Sequence, residues 1–165
     1  MQKRFESTAL IRFPDCDPFN HLNNSRYLEY FFNAREDHLR KYHQFDLYTY
    51  LRDKGSGWVV RENHIAYVKP AYLMETVVLE SGILVWDPKE IHLEMTMWNE
   101  AKTEFKALLW SHFVHVNIRT GKSEVHSEML TQRFKDFAIG LQKHLTFEQR
   151  LTEYRSGMSF KNEEQ

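Results

Sequence analysis

Residues 13–30 read Phe-Pro-Asp-Cys-Asp-Pro-Phe-Asn-His-Leu-Asn-Asn-Ser-Arg-Tyr-Leu-Glu-Tyr. The stretch combines the end of a strand, a tight polar turn between two prolines, and the start of an aromatic-rich helix. A helix start presents unpaired backbone N–H groups and the positive end of the helix dipole. A carboxylate facing such donors is suited to attack on an ester-type carbonyl.

The segment before the turn is expected to be extended. Residues 5–13 are β-prone, and strict alternation places Ala9, Ile11 and Phe13 on one face. The two prolines bias the residues that precede them, Phe13 and Asp17, away from helical geometry. The strand should therefore end directly in the polar turn.

A long helix is expected after the turn. Asn23 or Asn24 is the natural N-cap. From there to about Tyr42, apolar residues recur at helical spacing and predict one buried stripe. Arg26, in the first turn, is expected to pair with a nearby acid.

The rest of the chain predicts four strands and then one or two helices. The strands span residues 58–68, 74–86, 91–98 and 105–119, after a mixed connection at 43–57. In the third of these, regular alternation of apolar and polar residues predicts a strand with one buried and one exposed face. A strand, a helix and four long strands indicate an α+β domain, an antiparallel sheet wrapped on one helix. The edges of such a sheet favour a homodimer or a dimer of dimers.

The composition excludes several classes of protein. A chain of 165 residues is long enough for one domain, and a net charge of −1 argues against nucleic acid as the main partner. No apolar run is long enough to cross a membrane, and no apolar segment follows the basic start as in a secretory signal. The single cysteine, Cys16, cannot form an internal disulfide, which fits the cytoplasm.

Three blocks of the opening stretch resemble the hotdog-fold thioesterases, the group containing 4-hydroxybenzoyl-CoA thioesterase and the acyl-ACP thioesterases. The blocks are Asp15-Cys16-Asp17-Pro18, His21-Leu22-Asn23-Asn24 and Arg26-Tyr27-Leu28-Glu29-Tyr30-Phe31. The resemblance implies a single hotdog domain over 1–165, with a core at about 5–135. A C-terminal helical extension at about 127–155 and a disordered tail at 156–165 complete the expected organisation.

The resemblance also implies the roles of the candidate catalytic residues. The catalytic aspartate of the aryl-CoA enzymes stands where Asp17 stands, and here it would act as general base or as nucleophile. The alternative for Asp17 is a turn residue that bonds its own backbone before Pro18. His21 would orient water or the thioester, unless it is only a solvated loop histidine. The backbone N–H of Asn24 would bind the oxyanion.

Three further residues are candidate substrate contacts. Asn23 serves either as the helix cap or as a contact, and Tyr27 forms either the core or the pocket wall. In CoA-using relatives the turn after Trp86 often carries several basic residues, and here only Lys89 remains. At Asn20 many relatives have glycine, so the loop geometry is open to difference.

Other reactive side chains are given structural roles. Cys16 lies on the strand face opposite Asp17 and is not expected to be a nucleophile. His112 and His115 point to opposite faces of one strand, so they make no metal pair. Glu62 and His64 share a strand face and are weaker candidates for approaching the site. No cofactor and no metal are expected.

The sequence therefore predicts a thioesterase acting on an acyl-CoA or acyl-carrier-protein thioester. An enoyl-thioester hydratase is less favoured, because its histidine follows the aspartate by five residues and Asn20 occupies that position relative to Asp15. A non-catalytic acyl-thioester-binding protein is the other alternative.

Overall fold

The computed structural model of the protein describes residues 2–140 and 145–157. The strands in this part of the chain are β1 Phe5–Leu10, β2 Ser56–Tyr67, β3 Thr76–Trp86, β4 Glu90–Asn99 and β5 Phe105–Asn117. The helices are α1 Tyr27–His43, α2 Leu47–Lys54, α3 Glu128–Phe137 and α4 Phe147–Arg155. The strands form one antiparallel sheet in the order β1-β3-β4-β5-β2. The predicted α+β architecture is confirmed.

Helix α1 packs against the inner face of the sheet. Its buried side chains are Tyr27, Phe31, Ala34 and His38, spaced by three or four residues along one face. They meet inward-facing residues of β3, β4 and β5, namely Val77, Leu79, Met95, Met97, Ala107 and Leu109. The apolar stripe of the sequence is therefore the surface that the sheet covers.

One polar residue lies within this apolar interface. The side chain of His38 is buried, with Nδ1 2.6 Å from Ser81 Oγ and Nε2 3.0 Å from Ser7 Oγ. Burial is the main cause that lowers the pKa of His38 to about 4. The imidazole is therefore neutral at pH 7 and links α1 to β1 and β3.

The His38→Gln variant is expected to respond less to acid than the wild type. The unfolded chain protonates His38 below about pH 6.5, and the folded protein does so only below about pH 4. The free energy of unfolding therefore falls as the pH is lowered from about 6.5 to about 4. A glutamine side chain cannot titrate, so at pH 5 the variant should gain about 2 kcal/mol on the wild type relative to pH 7.5. Urea unfolding at both pH values measures this, and an equal difference at both would contradict it.

The outer face of the sheet is also covered. Helix α4 packs there, with Phe147 and Tyr154 against Phe105 and Leu108 of β5. Because of this cover, Glu94 of β4 is fully buried. The prediction that this strand exposes one face is therefore wrong: both faces are covered, the inner by α1 and the outer by α4.

A network of charged hydrogen bonds fixes α4 to the sheet. Arg150 donates from Nε and Nη2 to the two carboxylate oxygens of Glu94, at 2.8 Å each. Trp110, Tyr154 and Arg4 also donate to this carboxylate. Burial alone would raise the pKa of Glu94, but the hydrogen bonds and charges of the arginines outweigh burial and lower it to about 2.

Two local predictions are wrong. Strand β1 ends at Leu10, and Phe13 begins a short 3₁₀ turn to Asp15 in which its side chain is 75% exposed. Proline fits the first turn of a helix, so Pro14 does not keep Phe13 extended. The predicted mixed connection contains α2, which Asp46 caps by accepting a hydrogen bond from the N–H of Thr49.

The predicted helical extension corresponds to α3 and α4. Residues 141–144 of that extension lie outside the described residues, as does the predicted disordered tail from residue 158 onward. None of the helices in the described ranges has the length and apolar character needed to cross a bilayer.

Candidate active site

A miniature hairpin presents the candidate catalytic residues. Cys16 and Leu22 form an isolated antiparallel bridge, and Asp17 N donates to His21 O at 2.8 Å. Leu22 is buried in the core beside the half-buried Cys16. Because side chains alternate along a strand, Asp17 and His21 lie together on the other face of the hairpin.

The Asp17 carboxylate is held by one oxygen only. Oδ1 accepts hydrogen bonds from the backbone N–H groups of Phe19 at 2.9 Å and His21 at 3.1 Å. Oδ2 has no hydrogen-bond partner among the described residues. Asn20, inside the turn, has φ 61°, a left-handed conformation that asparagine tolerates better than most residues other than glycine. The carboxylate is thus fixed in orientation and retains an unpaired oxygen.

Asp15 differs from Asp17 in this respect. Its Oδ2 accepts a 2.7 Å hydrogen bond from the hydroxyl of Tyr30, and its Oδ1 lies 3.9 Å from Arg26 Nε. Burial and the hydrogen bond to Asp15 raise the pKa of Tyr30 to about 12. Arg26 also pairs with Glu29 at 2.7 Å, so the prediction of an acidic partner for Arg26 is confirmed. Asp15 therefore joins the hairpin to α1.

The backbone that leads into α1 offers a free donor. Asn23 caps a short 3₁₀ turn, Asn24–Arg26, by accepting a hydrogen bond from Ser25 N at 3.0 Å through Oδ1. The backbone N–H of Asn24 finds no acceptor among the described residues. The carbonyl of Asn24 accepts a hydrogen bond from the Tyr67 hydroxyl at 3.0 Å, which fixes the following peptide, Asn24–Ser25, against the end of β2.

Tyr27 and His21 are placed by aromatic contacts. Tyr27 is 2% exposed; its hydroxyl accepts a hydrogen bond from Ala71 N at 3.3 Å and its ring meets that of Tyr67. The ring of His21 lies edge-on to Tyr72, with centroids 5.1 Å apart. Tyr67 and Tyr72 both lie far along the chain from the hairpin, and no local sequence signal connects them to this site.

The remaining candidates lie elsewhere. Lys89 is in the β3–β4 turn, whereas the hairpin adjoins the start of β3, so roughly the length of β4, about 30 Å, separates them. Glu62 and His64 share the outer face, as predicted, where His64 stacks on Phe147. This is the face opposite α1, so they do not approach Asp17.

An apolar cavity of about 90 Å³ lies between the C-terminal half of α1, α3 and the sheet. Its lining includes Phe45, Trp58, Leu93, Phe134 and Phe137. No residue of the hairpin lines this cavity. The Asp17 carboxylate therefore does not open into this cavity.

The whole arrangement is that of a known family. The family model described as the thioesterase-like superfamily matches residues 11–151. The chain belongs to this superfamily. The match includes the hairpin, the four strands β2 to β5 and the first half of α4. The family likeness therefore extends further toward the C-terminus than the predicted core, which ends at about residue 135.

Solved structures of similar proteins share the hotdog fold with this thioesterase-like protein. A hypothetical protein from Staphylococcus aureus, solved in complex with CoA, is 19% identical with TM-score 0.77, covering 91% of this chain and 94% of that one. A 1,4-dihydroxy-2-naphthoyl-CoA thioesterase from Synechocystis is 14% identical with TM-score 0.73, covering 81% and 96%. The 12:0-ACP thioesterase from Umbellularia californica is 18% identical with TM-score 0.70, covering 88% and 58%.

Proposed function

We propose that this protein hydrolyses the thioester of an acyl-CoA or of an acyl carrier protein, with Asp17 as the catalytic carboxylate. The observation that carries the proposal is that two groups of the same short stretch, one in the hairpin and one just after it, each lack a hydrogen-bond partner among the described residues. One oxygen of Asp17 is anchored by two backbone amides while the other is unpaired among the described residues. The Asn24 N–H, at the start of the turn into α1, is also unpaired in this part of the chain.

These groups supply both requirements of thioester hydrolysis. The unpaired carboxylate oxygen takes a proton from water, whose oxygen attacks the carbonyl carbon, or it attacks that carbon directly and gives a mixed anhydride that water then hydrolyses. In either route the Asn24 N–H and the positive end of α1 stabilise the oxyanion. As this oxyanion collapses the C–S bond breaks, which gives the free acid in the first route and the mixed anhydride in the second, and the thiolate leaves and takes up a proton. His21, on the same hairpin face as Asp17, is placed to orient water or the thioester.

A panel of acyl-CoAs incubated with the protein and a thiol reagent tests the proposal. Hydrolysis releases free CoA, and the reagent reports it. An enoyl-thioester hydratase would change the absorbance of an enoyl-CoA without releasing thiol. A non-catalytic binding protein would do neither, and either of these results would overturn the proposal.

The Asn24→Pro variant is expected to lose about 10²–10³-fold in kcat, because proline has no N–H to donate to the oxyanion. The backbone accepts proline here: Asn24 begins a helical turn, and Asn23 has the extended geometry, φ −61° and ψ 134°, that a residue before proline adopts.

Asn24→Ala, which keeps the N–H, is the matched control. It should retain kcat within a few-fold. Equal activity of the alanine and proline variants in the thiol-release assay would remove the Asn24 amide from the mechanism.

We infer that the site is completed in a homodimer. β2 is a 12-residue strand at the edge of the sheet and pairs only with β5 among the described strands. Val59 and Val60 on β2 are 49% and 43% exposed, and a 12-residue edge strand leaves backbone N–H and C=O groups open for pairing with another chain. Antiparallel pairing of β2 with its copy would bring the Lys89 end of the partner toward the hairpin, which gives Lys89 a route to the substrate.

Light scattering is expected to give the mass of two chains, or of four if dimers pair. The Val59→Lys variant should shift the protein toward the monomer, because a charge on the strand disfavours edge-to-edge pairing. A monomeric wild type at micromolar concentration would contradict the dimer.

A further inference from the structure

A second cluster of reactive side chains lies on the outer face of the sheet, away from the hairpin. His92 of β4 and His112 of β5 are direct cross-strand neighbours. Glu90 precedes His92 by two residues and so lies on the same face, diagonal to His112. Ile91 and Phe113, which alternate with these residues, pack in the core on the opposite face. Three strand residues that carry metal-ligand groups therefore share one patch.

The ligand atoms of this cluster are close together. One ligand atom from each of Glu90, His92 and His112 lies within 4.8 Å of the other two, and all three side chains are half-buried. His112 Nε2 is 2.6 Å from Glu90 Oε2. The two imidazoles are stacked, with centroids 4.0 Å apart and planes at 19°. Rotation of the two stacked imidazoles about their side-chain bonds is required to turn these atoms toward one common centre.

Two further carboxylates lie near the cluster. Glu62 is the cross-strand neighbour of His112 on β2. The negative charges of Glu62 and Asp87 both attract positive charge at His92. The opposing cation is Arg61, whose Nη1 is 2.8 Å from Glu90 Oε1. Its side chain is 61% exposed, and such exposed ion pairs are weak. A bound dication would displace Arg61 at little cost.

We propose that Glu90, His92 and His112 form a site for a transition-metal dication such as Zn²⁺. Two imidazole nitrogens and one carboxylate oxygen are a ligand set that zinc uses, with water at the fourth position. The ligands stand on adjacent strands of a covered sheet, which holds their backbones in a fixed relation. Within one chain the site lies on the face of the sheet opposite α1, and the Asp17 hairpin contributes no residue to it.

Titration calorimetry with Zn²⁺ and absorption spectroscopy with Co²⁺ test the site on the full-length protein. The wild type should bind one Zn²⁺ per chain, and Co²⁺ should give visible bands of the kind produced by nitrogen and oxygen ligands. The variant is His92→Gln, which removes one ligand. Loss of an outer partner of a metal ligand alone costs about 10–100-fold in affinity, so loss of a ligand should weaken binding by at least that factor.

His64→Gln is the matched control. His64 is an exposed histidine on the same face of the sheet and lies outside the cluster. This variant should bind Zn²⁺ as the wild type does. No stoichiometric binding by the wild type, or equal loss of binding in both variants, would overturn the proposal.

Discussion

The Asp17→Asn variant is expected to lose about 10²–10⁴-fold in kcat for thioester hydrolysis, the range associated with removal of a positioned acid or base. Asparagine retains an oxygen that accepts from the amides of Phe19 and His21, so the turn that orients the side chain is preserved. Its amide group, however, neither takes a proton from water nor attacks a carbonyl. Steady-state kinetics by thiol release, with urea unfolding in parallel, should show lost activity at unchanged stability.

Asp15→Asn is the matched control for this experiment. Asp15 stands two residues away in the same hairpin, but Tyr30 and Arg26 contact its carboxylate. Its substitution should lower the free energy of unfolding by about 1 kcal/mol, because a charge-assisted hydrogen bond is lost. It should reduce kcat less than Asp17→Asn does. If instead Asp15→Asn abolishes activity and Asp17→Asn does not, the catalytic carboxylate must be reassigned to Asp15.

The Glu94→Gln variant is expected to lower the free energy of unfolding by about 3–5 kcal/mol, as removal of one partner from a buried ion pair does. Glutamine has nearly the same shape as glutamate, but the guanidinium groups of Arg150 and Arg4 would lose the negative charge that compensates them. Domains of this size are stable by only about 5–15 kcal/mol, so the effect is a large share of the total. Urea unfolding measures it.

Two further variants keep the Glu94 prediction measurable. Tyr154→Phe removes the hydroxyl that donates to Glu94 and accepts from Arg150 Nη2, and it should cost about 1–3 kcal/mol. Glu153→Gln removes only the half-exposed contact to Arg150 Nη1 and should cost less than about 1 kcal/mol. A Glu94→Gln protein as stable as Glu153→Gln would show that the network does not hold α4 to the sheet.

The same network predicts how the protein responds to acid. The pKa of Glu94 is about 2 in the folded protein against 4.5 in the unfolded chain. The stability that ionised Glu94 contributes is therefore complete above about pH 4.5 and is lost as the pH falls toward 2. In Glu94→Gln this part of the acid dependence should be absent.

Local sequence signals were sufficient where neighbouring residues determine the structure. The alternation of apolar residues located the strands. Asn23, one of the two predicted caps, accepts a hydrogen bond from an amide two residues away. Signals for α2 were equally local, since Asp46 caps its start and Gly55, with φ 67°, ends it. The sequence prediction nevertheless missed α2, because apolar and polar residues are mixed along it.

Glu94 shows where local signals fail. Its alternation with Met95 placed it on an exposed face, and nothing in β4 indicates that α4, more than fifty residues later, covers that face. His92 and His112 show the same limit, because only the register of β4 and β5 makes them neighbours. Contacts across such distances depend on how elements pack, which the spacing of residues within one element does not encode.

The sequence by itself determined the strand–helix–strand order, the family likeness and the presence of Asp17, His21 and Asn24 at the entry to one helix. The tertiary structure decided which of the two aspartates is free, because Tyr30 on α1 takes Asp15 and leaves an oxygen of Asp17 unpaired among the described residues. It also decided that Glu94 is buried and that Lys89 lies far from Asp17 within one chain. Neighbouring residues determine short-range hydrogen bonds and the periodicity of helices and strands. The burial of side chains and the pairing of distant residues arise only when distant segments pack together and exclude water.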